Sequence, residues 1–479
     1  MINTKTKIAI VGGGVAGSSA ALYFGQLGLD VTLFEKEPSL VTGPPFCHLH
    51  AGGNLYPDIS DEQCLTLLKQ SIDFLRFYPF IVDYRPTVIA LPLTCGATPN
   101  DLLPRLTLLR SRYEALIKED RENKVLGESE KYFHLYSKEE IEALKLKEIA
   151  DTPQTPDEWM IPVAKNIELD KVQFPLIIVQ EYGLNLFRLA AGSKLALQEL
   201  DTVNVFTNSI VSNVQENYQG KRWNVTYVKE HETTSECFDY LINAAGFRTG
   251  KIDDMIGVEC ERMVEFKAAY VSHWKEAENT LFPEIIIHGK RGTPEGMGQF
   301  TPYPYGHFQL HGMTHDITLY DNGLVSNTNV SCQPKLGQDF IKKIESAWTN
   351  EEVLKRTQSA IKHLSRFIPA FAEATVASKP LFGAQQIPGD DPSLRVAEVS
   401  FPRDGYARCE IVKVSSVVDM IDSITKKLVE LKYLDASMVG KREYTHLKTL
   451  NEYEVDTLAQ MLCEEREYPK ELATRMVAK

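Results

Sequence analysis

The sequence predicts an α/β protein: a parallel-sheet domain, a second domain of mixed or antiparallel β-sheet, and a helical C-terminal extension. Three observations carry that prediction. Lys7–Glu35 runs strand, helix, strand around a cluster of glycines. Residues 264–325 alternate apolar and polar positions with period two, and residues 433–479 are charged with a helical pattern.

The first element sets the frame. Ile8–Val11 is a continuous apolar run, as a parallel strand buried on both faces requires. Gly12, Gly14 and Gly17 follow in G-x-G-x-x-G spacing and open a small-residue helix, Ala16–Leu27. Gly28 ends that helix, and Val31–Phe34 reads as a second strand ending on Glu35. A helix N-terminus presents unpaired backbone N–H groups and the positive end of its dipole, which suits a pyrophosphate. Gly12 permits the tight turn, Gly14 the approach of phosphate, and Gly17 the packing of helix on strand. Glu35 lies 18 residues past Gly17, where a carboxylate accepts ribose hydroxyls. The layout is that of a Rossmann-like dinucleotide-binding domain.

The chain then becomes irregular over PSLVTGPPFCHLHAGGNLYP, a breaker-rich connection of the kind that carries function. Helical periodicity resumes over Asp61–Phe77; Pro86–Leu93 reads as a strand, and Asp101–Lys118 and Ser137–Lys145 as helices. Residues 61–170 therefore form a mixed insertion contributing to the second domain. A helix is predicted at Tyr182–Leu200, then strands in VNVFTNSIVSNVQE, RWNVTYV and YLINAAG, the last ending on small residues that admit close backbone approach. The strands FKAAYVSHW, EIIIHG, GQFTPYPYGHFQLHGMT and ITLY predict an antiparallel sheet, followed by helix over Gln338–Leu364 and a final domain helix over Val412–Leu431. Residues 1–60, 171–262 and 375–432 are thus expected to build the nucleotide domain, 263–374 the substrate domain, and 433–479 an appended surface element.

At 479 residues the chain exceeds a single-core size. A net charge of −13 argues against a nucleic-acid partner and gives no support for docking on anionic lipid. No apolar run approaches a membrane span, and a first strand beginning at Lys7 leaves no room for a signal peptide, so a cytoplasmic location is expected. Eight cysteines without a C-x-x-C pair read as reduced thiols, neither a zinc site nor a disulfide frame. The sequons at Asn224 and Asn329 then carry no glycan. G-x-S-x-G, H-E-x-x-H and P-loop motifs are absent, which removes hydrolase and kinase readings.

The fingerprint, the VTYV…YLINAAG block and the late GAQQIPGDDP block together resemble the D-amino-acid-oxidase-like FAD oxidoreductases, which include glycine and sarcosine oxidases, dimethylglycine dehydrogenase, and L-2-hydroxyglutarate and malate oxidoreductases. The resemblance implies FAD, with Gly12, Gly13, Gly14, Val15, Ala16, Gly17, Glu35 and Lys36 on its ADP half, Val211 flanking the adenine, and Ala244, Ala245 and Gly246 beside the pyrophosphate. It matches His50, Ala51 and Gly52 to the loop that crosses the flavin; His50 is either bonded to the flavin 8α-methyl or only a neighbour. Family members usually carry an arginine two positions after the glycine of the third block, where this chain has Gln385 after Gly383, and a glycine-rich loop where this chain reads GYARCEIVKVSS. In that loop Arg408 and Lys413 are the candidates for a positive group near flavin N1, and Arg408 and Arg395 compete for a substrate carboxylate.

His307, His311 and His315 recur every fourth residue, but the intervening prolines, glycines and period-two pattern indicate strand. Four strand residues span about 13 Å, too far for neighbouring histidines to share a metal ion. Tyr305 and His307 are therefore expected on one wall of a substrate chamber. The implied activity is dehydrogenation of a C–N or C–O bond in a small amine, amino acid or 2-hydroxy acid by hydride transfer to flavin N5, with oxygen, a quinone or an electron-transfer flavoprotein as acceptor. The alternatives are a flavin monooxygenase or halogenase, suggested by Gly389-Asp390, and an inert flavoprotein serving as sensor or partner.

Overall fold

The computed structural model describes residues 6–46, 49, 59–217, 222–441 and 445–477. Lys7–Val11 is an inner strand of a six-stranded sheet, because four of its five residues are buried and both edges find partners. Tyr240–Asn243 and Asp30–Phe34 flank it in parallel, Asn243 and Phe34 standing opposite Val11. Val203–Phe206 extends one side; Tyr406–Cys409 and then the antiparallel Val399–Arg403 extend the other. The fingerprint helix, Val15–Gln26, is buried from Ala16 to Gly25, so it needs small residues on every face. It packs on the second strand and against helices Leu186–Gln198 and Val417–Glu430.

The second sheet has nine strands and is mixed. Its long central strand, Arg262–His273, pairs with His307–Gly312, with the edge strand Leu324–Ser326, and along most of its length with Thr375–Pro388, all antiparallel. The expected strand at ITLY is a turn leading into Leu324–Ser326. Glu284–Ile287 pairs in parallel with Thr87–Ala90, so the insertion contributes strands as well as helices. Phe133–Tyr136 and Leu176–Val179 complete that edge.

Three boundaries differ from expectation. Thr375–Pro388 belongs to the large sheet, so the chain returns to the six-stranded sheet at Val399, not at 375. The last domain helix starts at Val417, after a short 3₁₀ turn, not at Val412. The tail is no surface appendage: helix Glu452–Glu465 buries Val455, Ala459, Leu462 and Cys463, packing on Leu186–Gln198. Several strands were not predicted, among them Phe133–Tyr136, Leu176–Val179, Thr375–Pro388, Val399–Arg403 and Tyr406–Cys409; another, Glu232–Phe238, has the polar sequence of an exposed edge in a three-stranded antiparallel sheet. Among the described residues no helix is long and apolar enough to cross a membrane.

Candidate active site

The fingerprint turn is held by backbone. Gly12 has φ +102° and donates its N–H to the Phe34 carbonyl at 2.8 Å. A Cβ at Gly12 would strike the Ala244 carbonyl, and one at Gly17 would fall on the Gly12 carbonyl oxygen. Gly14 differs: it caps the helix at φ −67°, and nothing lies within 4 Å of where its Cβ would stand. Glu35 turns back onto the glycines. Its Oε2 accepts from the Gly13 N–H at 2.6 Å and its Oε1 from the Glu37 N–H at 2.8 Å. Burial pushes the carboxyl up, and the Gly13 N–H and Lys36 oppose that. Lys36 pairs with Glu37, and burial lowers its ammonium pKa. Val211 is half-buried in strand Ser209–Glu216, where Ser209 N–H reaches the Glu35 carbonyl at 2.8 Å. His50, Ala51 and Gly52 lie outside the described residues.

A cavity of about 1090 Å³ opens from this turn. Gly14, Val15, Ala16, Ala244 and Gly246 line one end. The other end runs beneath the second sheet, against Lys267, His288, Arg291, Gln299, Gln309 and His311. Strand parity explains this wall: Gln309 and His311 sit two apart on His307–Gly312, and Lys267 projects from the facing central strand. Lys267 Nζ and Arg291 Nη2 each meet Glu265 at 2.5 Å, on different oxygens. Burial would raise the Glu265 carboxyl, but Lys267 and Arg291 hold it down at about 2. Burial pushes His288 down to about 4, and burial with the neighbouring Lys267 takes His311 to about 3, so both imidazoles are neutral at pH 7. The Nε2 of His288 is buried with no hydrogen-bond partner among the described residues. Among those residues no group of three His, Cys, Asp or Glu could hold a metal ion.

Three expected catalytic residues stand elsewhere. Arg408 is buried, but its Nε donates to Ser400 Oγ at 3.1 Å and Glu410 Oε1 at 2.9 Å, and its Nη1 lies 3.5 Å from Asp253. Cys409 lines the cavity instead, and strand alternation turns Arg408 to the opposite face. Tyr305 is 63% exposed at φ +56° in the hairpin turn and does not line the cavity. His307, first in the strand after that turn, has its ring centroid 4.9 Å from that of His273. Of the alternating series, Gln309, His311 and Met313 reach the cavity, and His315 is an exposed partner of Asp321. Arg395 and Lys413 both line it. Asp390, of the Gly389-Asp390 pair, is exposed and does not. Sequence reasoning missed Lys267, His288, Arg291 and Gln299. A signal existed for the first: Lys267 is a lone cation in the apolar run VEFKAAYV, two residues from Glu265 and hence on its face.

Residues 7–396 match the family model described as "DAO: FAD dependent oxidoreductase". The chain belongs to this family. No curated protein matches it in sequence. Among solved structures, L-amino acid deaminase from Proteus vulgaris aligns with a TM-score of 0.57 at 12% identity, covering 95% of this chain and 97% of that one. Glycine oxidase from Geobacillus kaustophilus gives 0.54 at 12% identity over 92% and 100%. L-alpha-glycerophosphate oxidase from Mycoplasma pneumoniae, a structure with FAD bound, gives 0.54 at 16% over 88% and 94%. At these identities the likeness is one of fold.

The cavity fits the FAD of this oxidoreductase family. The open space at Gly14 leaves room for phosphate against the first helical turn. Glu35 uses one lone pair on each oxygen for backbone, leaving acceptor capacity for hydroxyls. Gly383 serves packing: a Cβ there would meet Pro44 Cα at 2.7 Å, so the close approach of the long strand to the 43–46 segment requires glycine at this position. Gln385, where the family usually has arginine, donates its Nε2 to the Val412 carbonyl at 2.7 Å, and Gln386 donates to that of Cys409 at 2.8 Å. The two glutamines tie the large sheet to the segment that carries Lys413.

Proposed function

We propose that the protein dehydrogenates a C–N or C–O bond of a small amine, amino acid or 2-hydroxy acid, using FAD. One observation carries this reading: a single cavity joins the fingerprint turn to a buried polar wall built on Lys267 and His311. Gly12, Gly13, Gly14, Val15, Ala16 and Gly17 would hold the pyrophosphate, Glu35 the ribose, and Ala244, Ala245 and Gly246 the flank of the phosphates, with Lys36 and Val211 at the adenosine end. Bound there, FAD would supply the two-electron chemistry by accepting a hydride. The remaining work falls to side chains that line the rest of the cavity. Arg395 lines the cavity as a cation suited to a substrate carboxylate, while Lys267, on the same wall, is paired with Glu265. Neutral His288 offers Nε2 as a hydrogen-bond acceptor for the N–H or O–H of the carbon being oxidised. Lys413, at the cavity ahead of helix Val417–Glu430, lends positive charge beside the ring, a role that Arg408 cannot take while paired with Glu410 and Asp253.

The purified protein is expected to be yellow, with about one FAD per chain, because the fingerprint and Glu35 specify an ADP-ribose moiety. Anaerobic titration with pooled amino acids and then hydroxy acids should bleach the flavin with one pool. A colourless protein, or NADH oxidation without added substrate, would overturn the reading.

A further inference from the structure

Two cysteines outside the proposed chemistry face each other at the edge of the large sheet. Cys260 precedes the long strand Arg262–His273, and Cys332 follows the edge strand Leu324–Ser326; these strands pair antiparallel, Met263 opposite Ser326. Cys260 Sγ lies 4.0 Å from the Cys332 carbonyl oxygen and 3.8 Å from Asp253 Oδ2, so the two thiols are close neighbours. Both backbones are pinned. Asn327 bridges to the first, donating Nδ2 to the Cys260 carbonyl at 2.9 Å and accepting the Arg262 N–H at 2.8 Å. Asp254 anchors the second, accepting the Cys332 N–H at 2.6 Å and the Ser331 hydroxyl at 2.6 Å. Gly250 packs so closely under this segment that a Cβ there would strike the Cys332 carbonyl.

The thiols are not equivalent. Cys260 is half-buried, and its Sγ accepts a hydrogen bond from Arg262 Nε at 3.2 Å. Cys332 is buried, donates to the Val258 carbonyl at 3.0 Å, and is pushed up to about 12 by burial and then by the Cys260 thiol. The more accessible sulfur is the one an oxidant meets first, and Cys332, whose proton burial holds, reacts second.

We propose that Cys260 and Cys332 form a redox pair that a hydroperoxide closes to a disulfide. Cys260 Sγ attacks one oxygen of hydrogen peroxide; the O–O bond breaks, the other oxygen leaves as water with the Cys260 thiol proton, and Cys260 becomes a sulfenic acid. Cys332 Sγ then attacks that sulfur, the S–S bond forms, the S–O bond breaks, and the hydroxyl departs with the Cys332 proton as a second water. Two thiols are oxidised by two electrons and one hydroperoxide is reduced. Closure takes the acceptor from Arg262 Nε, whose Nη2 lies 3.2 Å from Asp253. Asp253 accepts from Tyr406 Oη at 2.7 Å, and Tyr406 Oη accepts from Asn243 Nδ2 at 2.7 Å. Asn243 immediately precedes the cavity-lining Ala244, so the pair borders the strand end that flanks the cofactor site.

The test is hydrogen peroxide treatment of the purified full chain, followed by thiol titration under denaturing conditions and peptide mapping. The titre should fall from eight to six per chain, with a Cys260–Cys332 linked peptide that dithiothreitol abolishes. Cys260→Ser should remove the link, and Cys237→Ser, at the exposed cysteine, should leave it. In Cys332→Ser, a dimedone adduct should accumulate on Cys260. If Cys332→Ser does not fold, the linked peptide of the parent chain still decides the matter. A titre unchanged at eight, or Cys260 driven to sulfinic acid beside an alkylated Cys332, would sink the proposal.

Discussion

Gly14 and Gly17 stand three residues apart and make opposite demands. Alanine at Gly17 drives its Cβ into the Gly12 carbonyl, which is backbone and cannot swing aside, so the helix must lift from the strand. Alanine at Gly14 meets open space at an allowed φ, and the cavity is what fills that space. Gly14→Ala should therefore cost the FAD-free protein no more than about 1 kcal/mol, as a modest helix-cap change does, while lowering the FAD-to-protein absorbance ratio. Gly17→Ala should lower melting temperature and flavin content together. Equal flavin retention in Gly14→Ala and the parent would remove the pyrophosphate from this turn. This part of the site was legible because its logic is local: strand, glycines, helix and acid lie within one stretch of 29 residues, Lys7–Glu35. The substrate wall was not. Whether Arg408 or Cys409 faces the cavity turns on the parity of one strand, and sequence places a strand to within a residue or two but not its face when both faces are buried.

Helices with a clear apolar stripe could be read from sequence nearly to the residue, as Asp61–Phe77 was, because one face is buried and the other is wet. The tail helix Glu452–Glu465 was misread because its buried face is narrow and its partner is a guanidinium. Arg188, on helix Leu186–Gln198, is wholly buried, donates Nε to the Phe80 carbonyl at 2.7 Å, and meets Glu452 at 2.5 Å and Asp456 from the tail. Burial takes this guanidinium down to about 10, so the tail carboxylates are what keep its charge tolerable. Their own side chains are half-exposed, which limits the loss when they are neutralised. A Glu452→Gln/Asp456→Asn double variant should lose about 1–2 kcal/mol in urea unfolding at an unchanged m-value. A midpoint equal to the parent's would mean that the tail docks through its apolar residues alone.

At the scale of the whole molecule, the two sheets are assembled from segments far apart in the chain. Thr375–Pro388 pairs with a strand more than a hundred residues earlier, and Glu284–Ile287 with one near residue 90. No periodicity reports such pairings, so the elements could be read one by one while the mixed order of the large sheet could not. The assembly makes a cavity whose polar wall is buried, and burial has a pH consequence. His311, set among Lys267, Glu265 and Arg291 and bonded to the backbone of Ala268, is held at about 3, and His288 at about 4, against 6.5 in an unfolded chain. Between those values the unfolded chain takes up protons that the folded one refuses. The stability these groups contribute is therefore complete above about pH 6.5 and drains away as pH falls through the folded values. Glu265 adds a second loss of the same sign, from about 4.5 down to about 2. The FAD-free protein should accordingly lose stability from pH 6.5 to 4, before carboxylates dominate, at up to about 1.4 kcal/mol per pH unit for each histidine. His311→Gln removes one titrating group without adding charge, so its urea midpoint should vary less with pH over that window. Parallel pH profiles for the variant and the parent would show that His311 takes up its proton in the folded chain as readily as in the unfolded one, and that the chamber wall is open to water.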